Sequence, residues 1–167
     1  KQSSRIESLA LQLTKLLGTV KKVKPDCIIA PYDREEAVTA SLVGTYMNIP
    51  VAHLGAGDRT AFNVDGVIRH SVTKLASISF CFTKESYDRV IKLGEEKWRV
   101  HNVGHTVVER YLNCKKIKKK QLLKSLGLQN VNGEPIILFI QHPVSNWLKQ
   151  SKKHIVASLD AINEINL

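Results

Sequence analysis

A chain of 167 residues with 43% apolar and 24% charged content can bury the core of one domain, or of one domain and part of a second, and has the make-up of a soluble globular protein. No apolar run approaches the length of a membrane span and no signal peptide opens the chain, so neither a membrane protein nor an exported one is expected. The formal charge of +10 has two readings: attraction to nucleic acid or an acidic surface, or service to an anionic small substrate such as a nucleotide sugar.

The lysines cluster at Lys21 to Lys24, Lys115 to Lys120 and Lys149 to Lys153, where helix ends and a linker are expected, and there they favour helix C-termini and solubility. No aromatic residues interleave with them as a single-strand platform needs, so a solvated basic surface is the stronger reading and nucleic acid is not the expected partner. Cys27, Cys81 and Cys114 are odd in number and lack metal-ligand spacing, which fits a reducing, cytoplasmic setting.

From the N-terminus, Ser4-Arg5-Ile6-Glu7 has the form of a capping box, and Ile6, Leu9, Leu13, Leu16, Leu17 and Val20 repeat at helical spacing. Pro25 ends that helix, and Cys27 to Ala30 is a short apolar run suited to a buried parallel strand. Asp33 can cap the next helix with Glu36 at the reciprocal position, and Ala37, Ala40, Ser41 and Gly44 give it a small-residue stripe for close packing on a sheet. The alternation continues with a strand at Ile49 to Leu54, a helix from Asp65 to Ala76 and a strand at Ser79 to Phe82. A helix from Lys84 to Leu93, a strand at Arg99 to Val103 and a helix through Tyr111 follow. After the lysine run come a short helix to Leu126, a strand at Ile136 to Ile140 and a helix from Trp147 to Ile165. Strict succession of strand and helix predicts a Rossmann-like, doubly wound parallel α/β sheet. A domain boundary is expected near Lys115: residues 1–114 form most of one such domain, 115–134 a lysine-rich linker and short helix, and 135–167 the start of a second.

The chemistry concentrates between His53 and Ala76. An apolar strand there stops at Gly55-Ala56-Gly57, and His53, Asp58, Arg59, Asp65, Arg69 and His70 crowd the way into a helix. Glycines allow a sharp turn and a close approach to ligand, and such a crowd of ionisable groups has no packing rationale in one loop. In a parallel α/β sheet ligands bind outside the carboxyl ends of the strands. Asp33, the His53 to Asp65 loop, Thr83, Gly104-His105 and Gln141-His142 all follow strands, so all belong to that edge. Each also has a plainer reading. Asp33, Asp65 and Thr83 can be helix caps, Arg69 can pair with Asp65 one turn before it, His53 can be a hydrogen-bonded strand-end residue, His70 part of a helix face and His142 a turn residue. Their coincidence on one edge favours chemistry. No GxGxxG, Walker lysine, HExxH, CxxC pair or nucleophile elbow is present, so acid/base work on a bound anionic substrate is what remains, with no cofactor and no metal expected.

The stretches Pro25-Asp26-Cys27-Ile28-Ile29-Ala30-Pro31-Tyr32-Asp33-Arg34, Met47 to His53, Gly57-Asp58-Arg59-Thr60, and Asp65 with Ile68-Arg69-His70 and Thr73-Lys74-Leu75 together resemble UDP-N-acetylglucosamine 2-epimerases. The Ile-Arg-His-x-x-Thr-Lys-Leu run, Val103-Gly104 and Gln141-His142-Pro143-Val144 are similar to the hydrolysing, sialic-acid-pathway branch. The resemblance implies two Rossmann-like domains facing across a cleft, the glycosyltransferase-B arrangement, in a homodimer or homotetramer. It implies elimination of UDP from UDP-N-acetylglucosamine to a 2-acetamidoglucal, then water addition to give N-acetylmannosamine. Asp33, Asp65 and His142 match family catalytic positions. Arg34, His53, Arg59, Thr60, Arg69, His70, Gly104 and Gln141 would contact substrate. Where much of the family carries a catalytic glutamate this chain has Gly55, and Asp58 is the carboxylate nearby that can compensate. The family's first strand and later C-terminal segments are also missing, so a piece of a longer protein is expected. A UDP-sugar sensor without turnover and an epimerase of a diacetamido-trideoxy UDP-sugar are the alternatives.

Overall fold

The computed structural model describes residues 2–59, 64–128, 136–142 and 149–165, with the side chains of 2–5 left aside. It divides into two units, Lys1–Tyr111 and Leu112–Leu167. The division falls just ahead of the lysine run.

In the first unit helix α1 (Gln2–Val23) leads to strand β1 (Ile28–Pro31), helix α2 (Glu35–Tyr46), strand β2 (Val51–Leu54), helix α3 (Asp65–Leu75), strand β3 (Ile78–Cys81) and helix α4 (Lys84–Lys92). A single 3-10 turn (Lys97–Arg99) then precedes strand β4 (Val100–Asn102) and helix α5 (Thr106–Leu112). The four strands pair side by side in chain order, all parallel. The predicted α/β class and parallel sheet are therefore present, and among the described strands the order advances in one direction. With right-handed crossovers, such an order puts α2, α3 and α4 over one face.

Sequence chemistry explains the packing. Leu9, Leu13, Leu16 and Val20 recur at steps of three and four and form the less exposed stripe of α1, with Val20 buried. Ile6 and Leu17, expected on the same face, lie exposed. The helix begins at Gln2, so Ser4 sits inside it rather than capping it. Helix α2 uses its small residues as expected: Ala37, Ser41 and Gly44 are buried against the sheet, and a methyl on Gly44 would meet Val51 Cγ2 at 2.4 Å. Ala30, Ala37, Val51, Val72 and Ala76 form one core cluster, under α2 and α3. Ala56, Cys81, Val90 and Val100 form another, under α4.

At the amino ends of β3 and β4 a buried carboxylate closes the unit. Glu95, whose side chain is 1% exposed, pairs with Lys74 Nζ at 2.7 Å and with Arg99. Lys74 also donates to the Leu93 carbonyl and Arg99 to that of Ala76. One acid thus ties the C-termini of α3 and α4 to the start of β4.

The second unit holds helix α6 (Lys119–Ser125) and helix α7 (Ser151–Asn163). Residues 136–140, expected as a strand, are neither strand nor helix. A strand is defined by its ladder, and none of the described residues pairs with this apolar run. The helix expected from Trp147 is assigned from Ser151, and residues 147 and 148 lie outside the described residues.

Candidate active site

Three strand ends build the site, and one arginine joins the first two of them. The chain leaves β1 through Tyr32, held at a φ of 62°, and delivers Asp33. It leaves β2 through Gly55 and Gly57, at φ of 78° and 79°, a backbone that side-chain-bearing residues rarely adopt. Space demands glycine there as well. A methyl on Gly55 would lie 2.9 Å from the Phe82 ring, and one on Gly57 would lie 2.2 Å from the Ser86 carbonyl oxygen. The first contact bears on the absent glutamate: a longer side chain at position 55 would collide with Phe82.

From helix α3 the Arg69 side chain, 6% exposed, reaches back to these loops. Its Nη1 donates to the Gly55 carbonyl at 2.7 Å and lies 3.6 Å from Asp58 Oδ2, while Nη2 donates to Asp33 Oδ2. Arg69 thus bridges two carboxylates. They are more open than the guanidinium, at 17% exposure for Asp33 and 34% for Asp58. Asp33 is not a cap: the N-cap of α2 is Arg34, which makes no side-chain capping bond. Neither the plainer reading, a pair with Asp65, nor the expected substrate contact pointed to Asp33, 36 residues away in sequence.

Asp58 has a second support. Ser86 Oγ, in the first turn of α4, donates to Asp58 Oδ1 at 2.5 Å. Thr83 caps that helix by accepting from the Ser86 amide at 3.1 Å, as expected of it, and its hydroxyl lies 3.0 Å from Ser86 Oγ. Arg89 of the same helix donates to the Gly57 carbonyl. Buried Cys81 is no nucleophile here, because burial first and the Asp58 charge second push its thiol up to about 11.

His53 is a correction. Expected to contact substrate, it is fully buried, with Nε2 2.9 Å from the Tyr32 carbonyl and Nδ1 3.1 Å from Thr73 Oγ1. Burial above all lowers its pKa to about 4, so the ring is neutral at pH 7. A carbonyl can only accept, so the proton sits on Nε2, and the one Thr73 hydroxyl proton is shared between Nδ1 and the Arg69 carbonyl, 3.0 Å from the same oxygen. The ring is a strut that holds the turn after β1 against α3. Below pH 6.5 the unfolded chain takes up a proton that the folded ring refuses until about pH 4. This histidine's contribution to stability is therefore full above pH 6.5 and falls by about 1.4 kcal/mol per pH unit across that window. Urea unfolding at pH 7, 6 and 5 is expected to show that slope, and His53→Asn to be less stable but flatter. Equal slopes would show that His53 protonates freely in the folded state.

The other expected contacts are spread more widely. Asp65 opens α3, where a carboxylate suits the helix N-terminus. His70, next to Arg69 on α3, has its pKa lowered by burial and then by Arg89 and Arg69. Arg59 is exposed, as is Arg34, which lies 3.6 Å from Glu35. Gly104 follows β4 at a φ of 79° with open space around it. Next to it the His105 ring stacks on Phe82 at 4.2 Å. Thr60 and Pro143 to Leu148 lie outside the described residues. Gln141 is half-buried and His142 exposed, both in the second unit. Ser86 was missed. Its signal was the Thr-x-x-Ser spacing at a helix start, which reads as capping alone.

A parallel Rossmann-like sheet with two half-open carboxylates bridged by a buried guanidinium at its carboxyl edge is the construction of an α/β protein with a polar ligand site. All of residues 1–167 match the model of the UDP-N-acetylglucosamine 2-epimerase family, and the chain belongs to that family. It is 28% identical over 162 residues, 97% of its length, to a GDP/UDP-N,N'-diacetylbacillosamine 2-epimerase (hydrolyzing) of Campylobacter jejuni, of which it covers 42%. To a UDP-N,N'-diacetylbacillosamine 2-epimerase (hydrolyzing) of Legionella pneumophila it is 27% identical over 165 residues, covering 99% of this chain and 43% of that one. The crystal structure of a UDP-GlcNAc 2-epimerase from Neisseria meningitidis bound to UDP-GlcNAc superimposes with a TM-score of 0.62 at 25% identity, over 71% of this chain and 34% of that one. The chain spans less than half the length of these relatives.

Proposed function

We propose that the full-length protein carrying this chain is a UDP-sugar 2-epimerase of the hydrolysing type, and that Asp33 and Asp58 are its acid/base groups in this domain. The observation that carries the reading is the pair of carboxylates held on either side of Arg69, partly open, at the edge of the sheet where ligands bind. In the first half-reaction a carboxylate takes the proton from sugar C2, the C1–O bond to the diphosphate breaks and a C1=C2 double bond forms, releasing UDP. In the second, water supplies a hydroxyl to C1 and a proton returns to C2 from the opposite face, giving the 2-epimer as a free sugar. Carboxylates suit both proton transfers. Asp65 would share this work. His142 would stabilise the charge leaving on the diphosphate, a role that rests on the family resemblance alone.

The names of two relatives favour a diacetamido-trideoxy UDP-sugar as substrate beside UDP-N-acetylglucosamine. The test is to incubate the full-length protein with each UDP-sugar and follow free UDP and free sugar by chromatography. UDP release with a free 2-epimeric sugar is expected from at least one of them. Binding without release of UDP from either would replace the enzyme by a sensor, and conversion to an epimeric UDP-sugar with no free UDP would replace hydrolysis by simple epimerisation.

A further inference from the structure

We propose that Ser86 is a positioning residue for the reaction, fixing the Asp58 carboxylate so that a single oxygen is left for proton transfer. The inference rests on the reading of Asp58 as an acid/base group and says how that group is aimed. It follows from counting protons along a chain of hydrogen bonds. Asp58 Oδ1 lies 2.5 Å from Ser86 Oγ, and a carboxylate only accepts, so the Ser86 hydroxyl proton points at Asp58. With that proton committed, the 3.0 Å contact between the two hydroxyls takes its proton from Thr83. The Thr83 oxygen is in turn fed by the Ser86 amide at 3.1 Å. Three donors therefore run in one direction, from the backbone of α4 through Thr83 and Ser86 to Asp58.

Burial makes this direction matter. Ser86 is 2% exposed, so water does not compete for its hydroxyl, whereas the Asp58 side chain is 34% exposed and would otherwise rotate. Gly57, immediately before Asp58, is pressed against the Ser86 carbonyl so closely that no Cβ fits, and Arg89 grips the Gly57 carbonyl. The same helical turn thus locates the backbone before Asp58 and one oxygen of its carboxylate. The other oxygen, Oδ2, lies 3.6 Å from Arg69. No hydrogen bond from the described residues engages it, which leaves it to exchange a proton with a ligand.

The experiment compares full-length wild type, Ser86→Ala and Ser86→Thr on whichever UDP-sugar the wild type turns over. Alanine keeps the Thr83 cap, because the cap uses the Ser86 amide rather than its side chain, and it is a good helix former. Loss of a buried hydrogen bond to a charged group is expected to lower kcat about 10- to 100-fold. KM should stay within about threefold, since the aim of a reacting group and not the binding of substrate is lost. Ser86→Thr, which keeps the hydroxyl, is expected to recover most of the rate. Unchanged kcat in Ser86→Ala, a loss confined to KM, or an equal loss in both variants would overturn the assignment. A wild type that releases no UDP would count against the enzyme reading instead. Positioning is then judged from crystal structures of Ser86→Ala and wild type: Asp58 in more than one rotamer in the variant supports it, and one unchanged rotamer in both overturns it.

Discussion

Arg69→Ala is expected to destabilise the protein by about 3–5 kcal/mol, the usual consequence of removing one partner from a buried ionic group. Its guanidinium is 6% exposed and holds Asp33, Asp58 and the Gly55 carbonyl. Without it, the Asp33 carboxylate, 17% exposed, loses its ion pair with the guanidinium, and a buried carbonyl loses its donor. Asp58, at 34% exposure and still hydrogen-bonded to Ser86, contributes less because water screens it. The prediction is sharpened by a partner change. Adding Asp33→Asn to Arg69→Ala should recover about 1–2 kcal/mol, because the carboxylate that the arginine neutralised is then itself neutral. Urea unfolding of the full-length protein measures both. A loss below about 1 kcal/mol, or a double mutant no more stable than the single one, would mean that solvent already compensates these charges.

Asp58→Asn is expected to lower turnover by about 10²–10⁴-fold, the range typical of a general acid or base, while changing stability by less than about 1 kcal/mol. The two effects separate because asparagine keeps an oxygen that can accept from Ser86 and loses only the charge and the ability to take a proton. This substitution also tests the account of Gly55. The space beside Gly55 belongs to Phe82 and Tyr32, so a carboxylate in this loop has to come from elsewhere, and Asp58 is the one the turn brings to Arg69. Release of UDP at an unchanged rate by Asp58→Asn, in a protein whose wild type is active, would leave Asp33 and Asp65 to do the work.

The alternation of apolar runs and amphipathic stretches was enough to place every strand of the first unit to within one or two residues, because buried parallel strands are short continuous apolar runs whatever surrounds them. The carboxyl edge was legible for the same reason, since topology alone assigns it. What the sequence hid was partnership at a distance. Asp33 has the form of a cap and Arg69 stands one turn after Asp65, so local rules favoured local pairs. The long arginine side chain instead crosses to a loop 36 residues earlier. His53 looked chemical because it is a histidine near a crowd of charges. Its neighbours Val51, Ala52 and Leu54 were the signal that the strand, and with it the ring, would be buried. The run at 136–140 shows the opposite limit: its composition is that of a strand, but strand identity comes from a neighbour that composition does not specify.

The clamp around Glu95 gives the first unit a stiff end and a yielding one. One carboxylate, wholly enclosed, draws together the ends of two helices and the beginning of a strand, so that opening the floor of the sheet means breaking a buried ion pair. The opposite rim is made of turns, of partly open acids and of a three-residue link between β4 and α5, Val103 to His105, that carries no buried residue. The rim that carries the proposed ligand site is thus the less enclosed end, and the foundation that sets the spacing of the strands beneath it is the one held by a buried ion pair.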